Sequence, residues 1–234
     1  RVGDCDGYYV QVDSTDPEVM AAALELIPGR PVLNSVNLED GGSRLDQVAA
    51  LARRFGAAVV AGCIDEHPSD GMARTAERKL EVAGRLLERL EAAGLRRREV
   101  LLDALVFPAA TGDPKFKAAA AETVRGVKLI KEKLPGALTL LGISNVSFGV
   151  PPSGREVLNA VFLHHCVEAG LDAAIVNTEQ LVRFPTLERE EVKLAEDVLF
   201  SGEKAAIDAF VARYRQLRPR VPFVARHIPA AKRL

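Results

Sequence analysis

Short apolar segments alternate with longer segments of helical periodicity along the whole chain, and this alternation is what most restricts its fold. The apolar segments are rich in β-branched residues and cover residues 8–12, 32–36, 57–64, 100–107, 138–143 and 173–176. Such short, mostly apolar runs are typical of strands that are covered on both faces of a sheet. Because strands that alternate with helices pair in parallel, the pattern predicts an α/β fold with helices outside a parallel sheet.

The segments between and after these predicted strands have the apolar spacing of amphipathic helices. They cover residues 17–26, 43–55, 75–93, 117–134, 155–169, 189–199 and 203–217. The first follows Asp16, a residue suited to cap a helix, and begins with proline, while Gly94 ends the third. In the third segment we expect Leu80, Ala83 and Leu87 to share the face that packs against the core.

Composition and charge argue against several classes of function. The 234 residues carry a formal net charge of -1, with 48% hydrophobic and 27% charged residues, as in ordinary globular domains. A neutral, mixed charge pattern argues against binding to nucleic acid or to an anionic membrane surface. Tryptophan is absent and aromatic residues make up only 5%, so a stacking platform for nucleic acid is not expected.

The cysteines and the hydropathy of the chain bear on its compartment. Cys5, Cys63 and Cys166 are far apart, and an odd number of cysteines fits a reducing, cytoplasmic environment better than a disulfide framework. No apolar run approaches the roughly 20 residues that span a bilayer, so we expect no membrane segment.

Each predicted strand carries a polar residue at or near its carboxyl-terminal end. These residues are Asp13, Asn34, Asp65, Asp103, Ser144 with Asn145, and Asn177. In parallel sheets and barrels this edge forms the mouth that binds ligands. A single Asp or Asn after a strand is more often a helix cap or turn residue, and Asp65 and Asn177 are closest to that interpretation. Asp103 is harder to explain in this way, because it stands inside an apolar run, where an unpaired carboxylate is costly.

The types of polar group at the strand ends indicate the kind of ligand. Because histidine and cysteine are absent from this set, we expect no metal site. Carboxylates accept paired N–H bonds, and carboxamides both donate and accept, so the set suits a neutral heterocycle with N–H and carbonyl groups. Arg155 stands at the predicted start of a helix, where a cation opposes the helix dipole, and this position favours a role such as binding an anionic ligand tail.

Several stretches of the sequence resemble the pterin-binding methyltransferase modules of cobalamin-dependent methionine synthases. They include LNSVN, LLDALVFPAATGD, LGISNVSFGVPPSGREVLNAVFL and GLDAAIVN, and the similarity extends over about residues 8–210. The resemblance implies a (β/α)8 TIM barrel of the pterin-binding type, in which Asp13, Asn34 and Asp103 hold the edge of the pterin. It also implies that Asn145, as the catalytic residue, hydrogen-bonds near N5, the atom that bears the methyl group.

The resemblance assigns the remaining strand-end residues more loosely. Arg155 matches an arginine near the mouth of the family barrel, on the folate side, while Ser144, Asp65 and Asn177 match strand-end positions without defined roles. A complete family barrel begins with two further β-α units, whose G-E-R-x-N-like turn and D-x-N-like strand end we do not find. We therefore expect a partial barrel of six β-α units over residues 1–217, followed by an exit segment or linker over 218–234.

The function implied by the resemblance is binding of 5-methyltetrahydrofolate and transfer of its N5 methyl group to cob(I)alamin in methionine synthesis. The homocysteine-activating zinc cysteines and the cobalamin-binding D-x-H-x-x-G motif are absent, so the cobalamin is expected on another module or protein. One alternative is a methyltransferase that acts on a corrinoid iron–sulfur protein, and another is an inactive barrel fragment. Dihydropteroate synthase is disfavoured, because Ser144-Asn145-Val146 stands where that family has a Ser-Arg-Lys-type turn.

Overall fold

The computed structural model describes residues 10–220 and places six parallel strands in one sheet, ordered as they occur in the chain. The strands are β1 (Gln11–Asp13), β2 (Val32–Val36), β3 (Ala58–Gly62), β4 (Val100–Asp103), β5 (Leu138–Gly142) and β6 (Ala173–Ile175). Every neighbouring pair is parallel, which confirms the predicted α/β class. Within the described residues β1 and β6 are the edges of a half-barrel, and an eight-stranded barrel that lacks two units here stays a prediction.

Seven α-helices flank the sheet or follow it within the described part of the chain. They are α1 (Pro17–Leu24), α2 (Ser43–Phe55), α3 (Ala76–Ala92), α4 (Ala119–Lys133), α5 (Pro152–Glu168), α6 (Arg189–Glu196) and α7 (Lys204–Tyr214). Helix α5 begins earlier than predicted, because Pro152, which follows Pro151 at the N-cap, has the fixed φ that suits the first helical position. Arg155 therefore lies inside α5 and does not open it, which corrects the position expected from the sequence.

The fourth strand is shorter than the apolar run that predicted it. Strand β4 ends at Asp103, whereas the apolar run continues to Phe107. Leu105 has a φ of 61°, in the left-handed region, so the chain cannot continue there as a strand. Asp103 is consequently a strand-end residue and not an internal one, and it stands in the same structural position as the other polar strand-end residues.

The two faces of the sheet have different surroundings. Leu33, Val59, Ala61, Leu102 and Leu141 are fully buried in the main hydrophobic core, against the helices. Because strand residues alternate between faces, the residues between them point to the opposite, inner side of the half-barrel. This inner face carries Asp13, Asn34 and Asp103.

The buried face of α3 includes a lysine that the apolar spacing did not predict. Leu80 is only partly buried, while Lys79 next to it is fully buried together with Val82, Ala83 and Leu86. The apolar spacing of α3 thus identified the helix and most of its buried stripe, but it missed the one charged residue that lies within it.

The last described residue, Arg220, contacts both α5 and α6. The backbone N–H of Arg220 donates to Glu156 in α5, and its guanidinium donates to Glu191 in α6. No helix among residues 10–220 is long and apolar enough to cross a membrane. Residues 1–9 and 221–234 lie outside the described residues, and with them lie Cys5, the start of the first predicted strand and most of the predicted exit segment.

Candidate functional site

The register of the sheet brings three of the predicted site residues onto one face. Asp13 in β1 pairs with Asn34 in β2, and Asn34 pairs with Val60 in β3. Two residues further along β3, Gly62 pairs with Asp103 in β4. Paired residues of parallel strands face the same side, and residues two apart in one strand do too. Asp13, Asn34 and Asp103 therefore line one face of the sheet near the carboxyl ends of their strands.

The first two of these side chains contact each other. The amide Nδ2 of Asn34 donates a hydrogen bond to Oδ2 of Asp13 over 3.2 Å. Asp13 is exposed and Asn34 partly buried, and the second oxygen of Asp13 and the side-chain oxygen of Asn34 accept no hydrogen bond from residues 10–220. This arrangement leaves oxygen acceptors that are available to a ligand at this face of the sheet.

Asp103 lies deeper and is held by the turn that follows it. Its Oδ1 accepts the backbone N–H of Leu105 over 2.8 Å. Burial raises the pKa of this carboxyl to about 6, although the Leu105 N–H and the nearby Lys79 ammonium act in the opposite direction. At neutral pH the carboxylate is therefore ionised but poorly solvated, a state that a ligand with N–H donors can stabilise.

Asn145 lies in the 3₁₀ turn Ile143–Ser147 that follows β5. Its side chain is partly buried, and its amide finds no hydrogen-bond partner among residues 10–220. A side-chain carbon added at Gly142 would lie 3.8 Å from the Asn145 Nδ2, so the glycine leaves the space beside this amide open. The unpaired amide is available to a ligand.

Arg155 fixes the turn that carries Asn145. Its Nε donates to the Ser147 hydroxyl over 3.1 Å, and its Nη2 lies 3.4 Å from the Ser144 carbonyl oxygen. The Ser147 hydroxyl in turn donates to the same carbonyl, and the Arg155 guanidinium lies 5.5 Å from the Phe148 ring centroid. Arg155 thereby braces the Asn145 turn from within α5.

A cavity of about 240 Å³ brings together three further predicted residues, Ser144, Arg155 and Asn177, beside the ends of β5 and β6. Asn177 is exposed, and its Oδ1 accepts the Glu179 N–H, so it also forms the turn that the sequence allowed for. Asn159 of α5 lines the same cavity, and its buried Oδ1 has no partner among the described residues. Asn159 is not among the residues predicted from the sequence, although a carboxamide within the apolar stretch VLNAVFL is a usable signal.

A known protein family matches most of the chain. The family model described as "Pterin binding enzyme" aligns with residues 3–177. The chain belongs to the pterin-binding enzyme family. The predicted family resemblance is therefore confirmed.

Individual relatives of this pterin-binding chain agree with the family match. It is 40% identical over 203 residues to a methionine synthase of Mycobacterium tuberculosis and 41% identical to one of Mycobacterium leprae. The match covers 85% of this chain but only 17% of either relative. Among solved structures, a dihydropteroate synthase from Coxiella burnetii in complex with pteroic acid aligns with a TM-score of 0.47 and 17% identity, over 81% of this chain and 66% of that one.

The contacts of Asp65 indicate a structural role in this member of the pterin-binding family. The side chain is buried, and one oxygen accepts the His67 N–H while the other forms ion pairs with Arg78 and Arg85 of α3. With both oxygens engaged, Asp65 binds the loop after β3 to α3. We therefore do not assign it a direct ligand contact, in contrast to its inclusion among the sequence-based candidates.

Lys79 is a charged residue near the site that was not predicted from the sequence. Its side chain is fully buried, and its Nζ donates to the backbone carbonyls of Ala73, Ala104 and Leu105. Burial lowers the pKa of Lys79 to about 8, against the attraction of Asp103 and other neighbours. The spacing of α3 gave no sign of this role, because a lysine beside an apolar stripe is normally solvated.

Proposed function

We propose that this chain binds 5-methyltetrahydrofolate and transfers the N5 methyl group to cob(I)alamin as one step of methionine synthesis. Membership in the pterin-binding family and similarity to two methionine synthases support folate binding and methyl transfer. Since the chain spans 17% of the length of those relatives, the activity is proposed for this chain on the basis of its own residues.

The observation that carries the proposal is the layer of Asp13, Asn34 and Asp103 on the inner face of the sheet. A reduced pterin presents N–H donors and a carbonyl along one edge of a flat heterocycle. Carboxylates accept two parallel N–H bonds from such an edge, and a carboxamide pairs with a neighbouring donor and acceptor. The three side chains supply this combination, and the partly buried carboxylate of Asp103, whose pKa is raised, gains most from the paired donors.

Asn145 is the residue that we propose acts on the reacting nitrogen. N5 of methyltetrahydrofolate is a poor leaving group, so its departure needs a hydrogen bond that strengthens in the transition state. The Asn145 amide is unpaired among the described residues, and Arg155 fixes the turn that holds it. Because an amide is a weak acid, Asn145 polarises N5 within a network with solvent and does not itself transfer the proton.

The acceptor in this proposal is cobalamin carried by another module or protein, and its reduced cobalt supplies the nucleophile. No residue of this chain is assigned to the corrinoid. The chain itself binds the folate, orients the methyl group and stabilises the departing nitrogen. Arg155, Ser144 and Asn177 surround the cavity beside the Asn145 turn and are proposed to serve the folate side of the ligand.

The test measures folate binding by titration and methyl transfer in single turnovers with free cob(I)alamin. We expect Asn145→Ala to lower the transfer rate by about 100-fold, as loss of one transition-state hydrogen bond does, while the Kd for folate changes much less. Gln216→Ala, which removes an exposed amide, is the matched control and leaves both values unchanged.

Two results would count against the proposal in different ways. Equal losses in binding and transfer for Asn145→Ala show that the residue contributes ordinary binding, so it has no special role at N5. Absence of binding by the unaltered chain at high micromolar folate refutes the proposed function and favours an inactive barrel fragment.

A further inference from the structure

The ammonium of Lys79 has a complete set of hydrogen bonds inside the protein. An ammonium has three donors, and here they go to the carbonyls of Ala73, Ala104 and Leu105. No carboxylate forms an ion pair with it among residues 10–220. A fully buried lysine that binds only backbone carbonyls is costly, since the desolvated charge has no direct counterion.

Two of the carbonyls that Lys79 binds belong to the turn directly after Asp103. Leu105 has a φ of 61°, a conformation that a non-glycine residue keeps only when its surroundings hold it. Its carbonyl accepts both Lys79 and the Thr123 hydroxyl, and its N–H donates to Oδ1 of Asp103. The position of the carboxylate therefore depends on a turn that two side chains from α3 and α4 fix.

The space for Lys79 is built into the neighbouring helix. A side-chain carbon at Gly126 of α4 would lie 2.7 Å from Lys79 Cδ, so only glycine leaves room for the lysine stem. The Lys79 Nζ also lies 5.1 Å from the Phe107 ring centroid. The elements packed around Lys79 place the Cys63 thiol, Asp103 and Glu122 near its charge.

We propose that Lys79 is the positioning residue of Asp103: its ammonium fixes the turn that aims the carboxylate, and its charge favours the ionised form that accepts the pterin donors. This inference rests on the proposed function in so far as Asp103 is a pterin contact. Its electrostatic part concerns Asp103 alone and can be measured without folate. Lys79 contacts no ligand itself and acts through Asp103.

The experiment follows the Asp103 carboxyl by carbon-13 NMR across pH and, in parallel, the folate Kd across the same range. The variant Lys79→Met keeps the length of the side chain and removes the charge. We expect it to raise the Asp103 midpoint by about one pH unit and to weaken folate binding at neutral pH by about 10-fold. The matched control Thr123→Val loosens the same turn without changing a charge, so binding weakens modestly and the midpoint rises by much less than in Lys79→Met.

A second variant covers the case in which Lys79→Met does not fold. Gly126→Ala leaves the lysine in the chain but places a methyl group in the space of its stem, so we expect the same upward shift of the midpoint. An unchanged midpoint in the folded variants overturns the inference, because a merely structural lysine would alter stability and binding but not this titration.

The two readouts separate this inference from the proposed function. If the midpoint moves in the variants and the unaltered chain binds no folate, Lys79 positions and charges Asp103 while the proposed function is wrong. If the unaltered chain binds folate and the midpoint does not move, the function stands and the inference about Lys79 is wrong.

Discussion

Replacing Asp103 by asparagine should make the protein more stable while it destroys the binding site. Burial raises the pKa of this carboxyl from 3.8 to about 6. A shift of about two units corresponds to about 3 kcal/mol, which at neutral pH is the cost of keeping the group ionised in the folded state. The asparagine introduced by Asp103→Asn would still accept the Leu105 N–H, and the attraction to Lys79 is already contained in the pKa shift, so we expect a net gain of up to about 3 kcal/mol.

The pH dependence follows from the direction of the shift. Because the folded protein holds the Asp103 proton more tightly than the unfolded chain, stability from this group is full below pH 3.8 and is lost as the pH rises through about 6. The Asp103→Asn variant does not lose stability in this way, because its side chain does not ionise. The stability difference between variant and unaltered chain should therefore be small at low pH, grow between these values and level off above neutrality.

Urea unfolding followed by circular dichroism between about pH 4.5 and 8 measures this difference. Asp208→Asn is the control, because Asp208 is an exposed partner of Lys204 in α7, and we expect a change below about 0.5 kcal/mol throughout. In a separate titration at neutral pH, Asp103→Asn should bind folate about 100-fold more weakly, since a charge-assisted pair of hydrogen bonds is lost. A variant that is less stable at neutral pH, or a difference that does not change with pH, refutes the reasoning.

Two further substitutions test the neighbouring residues. Arg155→Ala removes the brace on Ser144 and Ser147, and we expect about a 10-fold weaker folate Kd by titration that Arg155→Lys does not restore, because a lysine lacks the planar fork that donates in both directions. A restored Kd in the lysine variant contradicts this role. Asp65→Asn should lower the free energy of unfolding by about 2 kcal/mol in urea, because Arg78 and Arg85 lose their shared carboxylate, while the folate Kd remains unchanged. A large loss of affinity without a loss of stability would instead make Asp65 a ligand contact.

The helices and strands were predictable because their signals are local. Helix α2 has the predicted bounds, since its apolar stripe and the glycine at its end act within the segment itself. Strand β2 likewise matches the predicted run. Asp13 and Asn34 were predicted at neighbouring strand ends, and parallel pairing brings their side chains within hydrogen-bond distance.

The parts that escaped prediction depend on contacts between distant segments. The apolar run that contains β4 continues past its end to Phe107. Nothing in the local sequence shows that Leu105 takes a left-handed conformation, which Lys79 and Thr123 hold. Lys79 itself has the sequence setting of a surface residue until the fold supplies three carbonyls for its ammonium. Asp65 could be a turn residue or a site residue on its sequence alone, and only the approach of two α3 arginines shows what engages its second oxygen.

Burial disfavours the negative charge of Asp103 and the positive charge of Lys79. The two pKa shifts together define the pH range in which both groups of the proposed site are charged. Burial moves the pKa of Asp103 up to about 6 and that of Lys79 down to about 8, so both are mostly charged only between these values. Each charge moderates the shift of the other, and the turn at Leu105 joins them through the backbone. A ligand that donates N–H bonds to Asp103 would stabilise its ionised form and, through the same coupling, the charged form of Lys79. If a pterin edge binds there as proposed, part of the stability that the two buried charges cost the protein would be recovered on binding.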